Sequence, residues 1–331
     1  MLGGIQVRYE FSFYKKEDFE EIEQLVLASY NLEYPVWGLS RQEFVFGLHP
    51  AFTGRYHAFE HTVGVYKEDG KIVAAVMNEG NYDGEVFFLF DSQDRGEDRE
   101  LLIEMIRFAK TNASGIKEDR RTRYVKLHVP EWNRTLLELV GKSGFTKEEW
   151  GESLYILPFK EESFEVKLPE GYTFADGNTT PDFYLSNTHR LSFGYGADDY
   201  ACEHGEQAFH DLRLMKHYRK DLDICVLDEL KRPVAMAIIW YVDGMPYCEL
   251  EPLGVVWWER RKGIATALLH EAANRVMKLS PTCTGMLGGD QQYYRSIGYE
   301  KKAVIPRYYW ELEVFISWEK ESYGRDYAKE M

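Results

Sequence analysis

The chain has 331 residues, 44% of them hydrophobic and 29% charged, a balance that excludes a disordered chain and leaves room for two domains of ordinary size. Its net charge of −15 excludes a nucleic-acid partner, whose phosphates need a basic surface, and fits a cationic small molecule such as an amine. No apolar run is long enough to span a membrane, and Cys202, Cys225, Cys248 and Cys283 are too scattered for structural zinc or a disulfide framework.

The opening residues show no basic stretch followed by an apolar one, so no export signal is read and a cytoplasmic protein without membrane or metal is expected. In chain order, an alternating strand from Val7 to Phe13 leads to a helix with Phe19, Ile22, Leu25 and Val26 at helical spacing. Strands from His61 to Tyr66 and from Ile72 to Met77 flank Asp69-Gly70, a tight-turn pair. A strand from Glu85 to Phe90, a helix from Arg99 to Lys110 and a strand from Tyr124 to Val129 follow. A short helix from Asn133 then reaches Gly144-Phe145, and a last hairpin ends near Phe159.

The same order then repeats. A strand at Tyr172 to Phe174 precedes helical stretches from Pro181 to Leu191 and from Glu203 to Tyr218. A hairpin runs from Leu222 to Leu227 and from Pro233 to Tyr241, followed by a strand from Tyr247 to Val256. An amphipathic helix from Ile264 to Leu279, a strand near Gly285, a short helix ending at Gly298-Tyr299 and closing strands complete the copy. A charged stretch with Pro169 and Gly171 joins the copies, so residues 1–162 and 163–331 are expected as tandem α+β domains.

The segment Leu253-Gly254-Val255-Val256-Trp257-Trp258-Glu259-Arg260-Arg261-Lys262-Gly263-Ile264-Ala265-Thr266 runs from a strand into a helix start. Free backbone N–H groups and the positive end of the helix dipole favour an anion there. Gly263 and Ala265 are small enough for a pyrophosphate to approach the backbone, and Arg260, Arg261 and Lys262 add positive charge. The glycine spacing matches neither the P-loop nor the dinucleotide fingerprint.

Arg260 to Ala265 instead resembles the Q/R-x-x-G-x-G/A signature of the GNAT acyltransferase superfamily. Downstream, Gln291-Gln292-Tyr293-Tyr294-Arg295-Ser296-Ile297-Gly298-Tyr299 resembles its second signature, a short helix with a tyrosine pair before a Gly-aromatic ending. The resemblance is specific over residues 222–299 and architectural elsewhere. It implies two GNAT-like domains, each a mixed, mostly antiparallel sheet flanked by helices, with acetyl-CoA as cosubstrate and no metal. It also implies direct acyl transfer to an amine. The pantetheine arm would pair with Leu253, Gly254 and Val255, and the pyrophosphate would sit on the amides from Arg261 through Gly263, Ile264 and Ala265 to Thr266.

The resemblance places Tyr294 where family members protonate the departing thiolate, a task suited to a phenol. Glu249 and Glu251 lie two apart on the preceding strand, so alternation puts both carboxylates on one face. Glu249 is the candidate base and Glu251 an active-site group, and which of them takes the proton is left open.

In the first copy, Asp91-Ser92-Gln93-Asp94-Arg95-Gly96-Glu97-Asp98 keeps Gln93 and Gly96 in place, but Asp98 replaces the small residue and acidic side chains crowd the loop. Val140 stands where the tyrosine would act, so one coenzyme site, in the second copy, is expected. A small-molecule amine is the expected acceptor, and a homo-oligomer is left open. A non-catalytic acyl-CoA-binding or scaffold protein and a protein or peptide N-acetyltransferase remain the alternatives.

Overall fold

A computed structural model describes residues 8–46, 59–78, 84–119, 121–160, 162–195 and 200–313. The first half contains β1 (Glu10–Phe13), α1 (Phe19–Ala28), α2 (Leu39–Phe46), β2 (Gly64–Glu68), β3 (Lys71–Asn78) and β4 (Glu85–Phe90). It continues with α3 (Gln93–Gly96), α4 (Arg99–Thr111), β5 (Gly115–Ile116), β6 (Thr122–His128), α5 (Arg134–Lys142) and β7 (Thr146–Pro158). The second half contains β8 (Thr173–Asp176), α6 (Asp182–Phe193), α7 (Tyr200–Leu212), β9 (Asp223–Leu227), β10 (Pro233–Trp240) and β11 (Cys248–Val255). It ends with α8 (Ile264–Leu279), β12 (Gly285–Gly288), α9 (Gln292–Ser296) and β13 (Glu300–Glu313).

Local sequence accounts for the better-defined elements. Asp69 and Gly70, both with positive φ, make the tight turn between β2 and β3. Asn133 accepts from the Leu136 N–H and starts α5, while Asp98 accepts from Glu100 and Leu101 and starts α4. Helix α4 buries Leu101, Leu102, Met105, Ile106, Phe108 and Ala109 at helical spacing against the first half of the sheet. The helix α2 was not foreseen, and the start of the expected first strand, before Arg8, lies outside the described residues.

The halves form one sheet, in the order β1-β2-β3-β4-β6-β13-β7-β12-β11-β10-β9-β8, with β5 alongside β6. Equivalent strands sit at equivalent distances from the two ends. The pairs β4–β6 and β11–β12 are parallel, and the others are antiparallel. In place of the closing hairpin expected of the first copy and the closing strands expected of the second, each half ends in one long strand. The last strand of the first half, β7, pairs with β12 of the second, and β13 of the second half pairs with β6 of the first. The two long strands also pair with each other, from Glu300↔Ile156 to Tyr309↔Thr146. This exchange covers the edges that β6 and β12 would otherwise present. Gly151 permits it: a Cβ there would lie 2.9 Å from the Ile305 carbonyl oxygen on β13.

The cores follow the same interlocking. Leu154 to Leu157 of β7, together with Val26, Tyr30 and Leu39, belong to the core of the second half. Residues 26–39 of the first half therefore pack on the second half, and this brings them to the candidate site.

Candidate functional site

Strand β11 is paired with β12 only at Cys248↔Met286 and Glu249↔Leu287. From Leu250 to Val255 it keeps β10 as its partner on one side and has none on the other among the described residues. The two parallel strands thus diverge into a V-shaped gap. Opposite the register shift between Ala237 and Ile239, β11 carries an extra residue in the stretch Leu250 to Leu253, around Glu251 and Pro252.

At the wide end, β11 leads through a 3-10 turn, Trp257–Glu259, into the loop before α8. Gly263 occupies the N-cap position with φ 80°, a left-handed conformation that favours glycine, and no side chain caps the helix. Arg261 is also left-handed, with φ 65°. The first-turn amides of α8 have no acceptor within the helix, so they are open to an anion. The three cations are not equivalent. Arg260 donates to the carbonyls of Val255 (3.0 Å) and Ser192 (2.5 Å), and Lys262 pairs with the buried Glu259 at 2.9 Å. Arg261 is exposed and makes no hydrogen bond or ion pair among the described residues.

At the narrow end, Tyr294 of α9 is half-buried beside Gly289, where a Cβ would lie 3.0 Å from its ring. Burial, then the charge of Glu251 and the neighbouring Tyr293, push the Tyr294 hydroxyl above the usual phenol range. The phenol stays protonated at neutral pH. Glu251 and Tyr294 are therefore brought together, and Leu253 to Val255 line the way from them to Arg260 through Thr266.

Glu249 and Glu251 stand in different surroundings. Glu249 is fully buried. One oxygen accepts from the Tyr30 hydroxyl (2.6 Å) and the Gly38 N–H (2.6 Å), the other from the Ser40 N–H (2.8 Å). Tyr247 adds a reciprocal link, accepting from Val36 N–H at 2.8 Å and donating to Val36 O at 2.9 Å. Glu251, after the bulge, is exposed. The sequence pattern concealed Tyr30, Gly38 and Ser40, because their partner lies about two hundred residues away and no local spacing announces it. Glu249→Ala would strand three buried donors, so we expect a stability loss of about 3 kcal/mol, read from a urea midpoint.

The first half shows the same gap with different contents. Strands β4 and β6 pair only at Glu85↔Lys126 and Val86↔Leu127. His128 lies at the point of divergence, stacked on Phe87 with ring centroids 4.3 Å apart and bonded to Glu85 at 2.6 Å. Burial raises the Glu85 carboxyl, but His128 and Lys126 outweigh it and bring it down to about 2.

At the start of α4, the Asp98 carboxylate already occupies the place an anion would take. It accepts from the Glu100 and Leu101 amides and from Tyr9 (2.5 Å) and Arg8 (2.7 Å). Arg95 is likewise held by Glu68 (2.7 Å) and Asp91 (3.2 Å). Asp98→Ala should cost about 1 kcal/mol through loss of the cap, measurable as a lower thermal midpoint.

No family model matches the chain, and no curated protein matches it. Three solved structures share its fold over nearly the full length. A GCN5-related N-acetyltransferase from Sphaerobacter thermophilus is 14% identical with a TM-score of 0.58, covering 93% of this chain and 96% of that one. A tandem GNAT protein from the clavulanic acid biosynthesis pathway is 16% identical with a TM-score of 0.56, over 92% and 98%. A GNAT-family acetyltransferase from Colwellia psychrerythraea is 12% identical with a TM-score of 0.54, over 91% and 99%. The chain therefore has the fold of the GNAT N-acetyltransferases, in its tandem form.

Proposed function

We propose that the second half transfers an acetyl or other acyl group from acetyl-CoA directly to the amine of a small molecule, with one active site per chain in the cytoplasm. The observation that carries this reading is the uncapped start of α8 at the wide end of the β11–β12 gap, with Glu251 and Tyr294 at the narrow end. The residues present fit the coenzyme. Open amides and the exposed Arg261 suit a pyrophosphate, and the unpaired edge of β11 at Leu253 to Val255 suits the amides of a pantetheine arm.

Acetyl-CoA supplies an activated thioester. Attack by a neutral amine on its carbonyl carbon forms the C–N bond and breaks the C–S bond, so one proton must leave the nitrogen and one must reach the sulfur. Glu251 is placed to accept the first or to hold an incoming ammonium by its charge, and Tyr294, kept protonated, to donate the second. In this reading Glu249 is not the base, because it is fully buried and its carboxylate is engaged by three donors from residues 30–40. It is a positioning residue that holds residues 30–40 against β11.

The first half binds no coenzyme in this reading, since Asp98 fills its anion position and Val140 replaces the acid. Its contribution is the Tyr30 to Ser40 segment packed against the catalytic half. The test is coenzyme-dependent thiol release over a panel of small amines and peptides. Release with a small amine supports the proposal. Coenzyme binding without release on any amine would favour a scaffold, and release on peptides alone would move the acceptor to a protein amine.

A further inference from the structure

The cysteines are scattered in sequence, yet the fold brings two of them together. Cys248 opens β11, and Cys283 lies in the turn between α8 and β12. Both thiols donate to one acceptor, the Gly285 carbonyl, at 3.6 Å from Cys248 and 3.5 Å from Cys283. They are also hydrogen-bonded to each other. The backbone around them is tied in the same way. Cys248 pairs with Met286 in the parallel ladder, and the Thr284 N–H donates to the Pro246 carbonyl at 2.8 Å.

The two thiols are not alike. A hydrogen bond from Cys248 holds the Cys283 thiol below its usual range, while burial pushes Cys248 well above it. Cys283 is therefore the better nucleophile, and it is 3% exposed where Cys248 is 0%. Cys225 provides the contrast. It is as deeply buried, but it faces the Thr180 hydroxyl at 3.1 Å rather than a thiol, and burial pushes it up to about 11.

We propose that Cys248 and Cys283 are a reversible redox pair, closed to a disulfide by hydrogen peroxide, that links β11 to the turn entering β12. The Cys283 thiolate attacks one peroxide oxygen, the O–O bond breaks, and the departing hydroxide takes up the proton Cys283 released. The sulfenic acid left on Cys283 is then attacked by the Cys248 sulfur. The S–S bond forms, the S–O bond breaks, and the hydroxide leaves with the Cys248 proton as water. Two thiols and one peroxide thus give one disulfide and two waters, and a dithiol reductant reverses the change. This assignment does not depend on a coenzyme in the β11–β12 gap.

The test treats the full-length protein with a modest excess of hydrogen peroxide, alkylates it after denaturation and maps its peptides by mass. The expected result is a loss of about 2 Da, the two thiol hydrogens, with a cross-linked Cys248–Cys283 peptide that dithiothreitol releases. Cys225 should remain alkylated. The sulfurs already meet, so the oxidised protein should melt no lower than the reduced one. Cys248→Ser should leave a sulfenic acid on Cys283 that dimedone captures, and Cys283→Ser should leave Cys248 as a free thiol. The wild-type map decides the matter even where a variant fails to fold. Two free thiols after peroxide, a disulfide through Cys202, equal oxidation of Cys225, or a lowered melting temperature would overturn the assignment.

Discussion

Gly263→Glu is expected to weaken acetyl-CoA binding at least about a hundredfold, the equivalent of roughly 2.7 kcal/mol. The new carboxylate would stand at the mouth of the open amides and repel the diphosphate that they would otherwise hold. Misfolding is not the expected cause. A Cβ at Gly263 meets nothing within 4 Å, so the side chain has room. The backbone φ of 80° does cost an L-residue roughly 1–2 kcal/mol, which a modest fall in melting temperature would report. Gly263→Asn separates the two effects, because asparagine tolerates the left-handed conformation and brings no charge. It should retain most of the binding. Undiminished affinity in the glutamate variant would remove the pyrophosphate from this loop.

Tyr294→Phe should leave coenzyme affinity nearly unchanged and lower kcat about a hundredfold, the scale of one general-acid contribution. The phenol is held protonated by burial and by the charge of Glu251, so at neutral pH the proton it offers is always present. Phenylalanine keeps the packing on Tyr299 and Tyr293 and removes only the donor. A fall in kcat without a change in coenzyme Kd identifies a group acting on the departing sulfur. A parallel fall in affinity would instead make Tyr294 part of the binding wall.

The local geometry of the candidate site is legible in sequence because its parts are local. A strand, a left-handed glycine and an uncapped helix start follow one another from Cys248–Val255 to Gly263 and α8. In the first copy, Asp98 carries a negative charge in the corresponding loop and also caps α4, so its carboxylate occupies the Glu100 and Leu101 amides directly. The errors came where geometry depends on distant chain. Alternation puts Glu249 and Glu251 together as a pair, but Glu249 is buried and the donors that claim it come from residues 30–40, while Glu251 is exposed.

The closing strands were misread for a related reason. A run such as Thr146 to Pro158 carries a pairing face but no indication of which chain segment meets it. Gly151, which could end a strand, instead admits the Ile305 carbonyl of the exchanged strand. The functional consequence is that neither half is independent. The second half takes β7 into its sheet, and Val26, Tyr30 and Leu39 into its core, from the first half.

The central claim is one coenzyme site per chain, at the β11–β12 gap of the second half. Calorimetric titration of the full-length protein with acetyl-CoA tests it most directly. The expected result is a single transition at one acetyl-CoA per chain, abolished by Gly263→Glu and preserved in Asp98→Ala. Two equivalents per chain, or no binding at all, would contradict it.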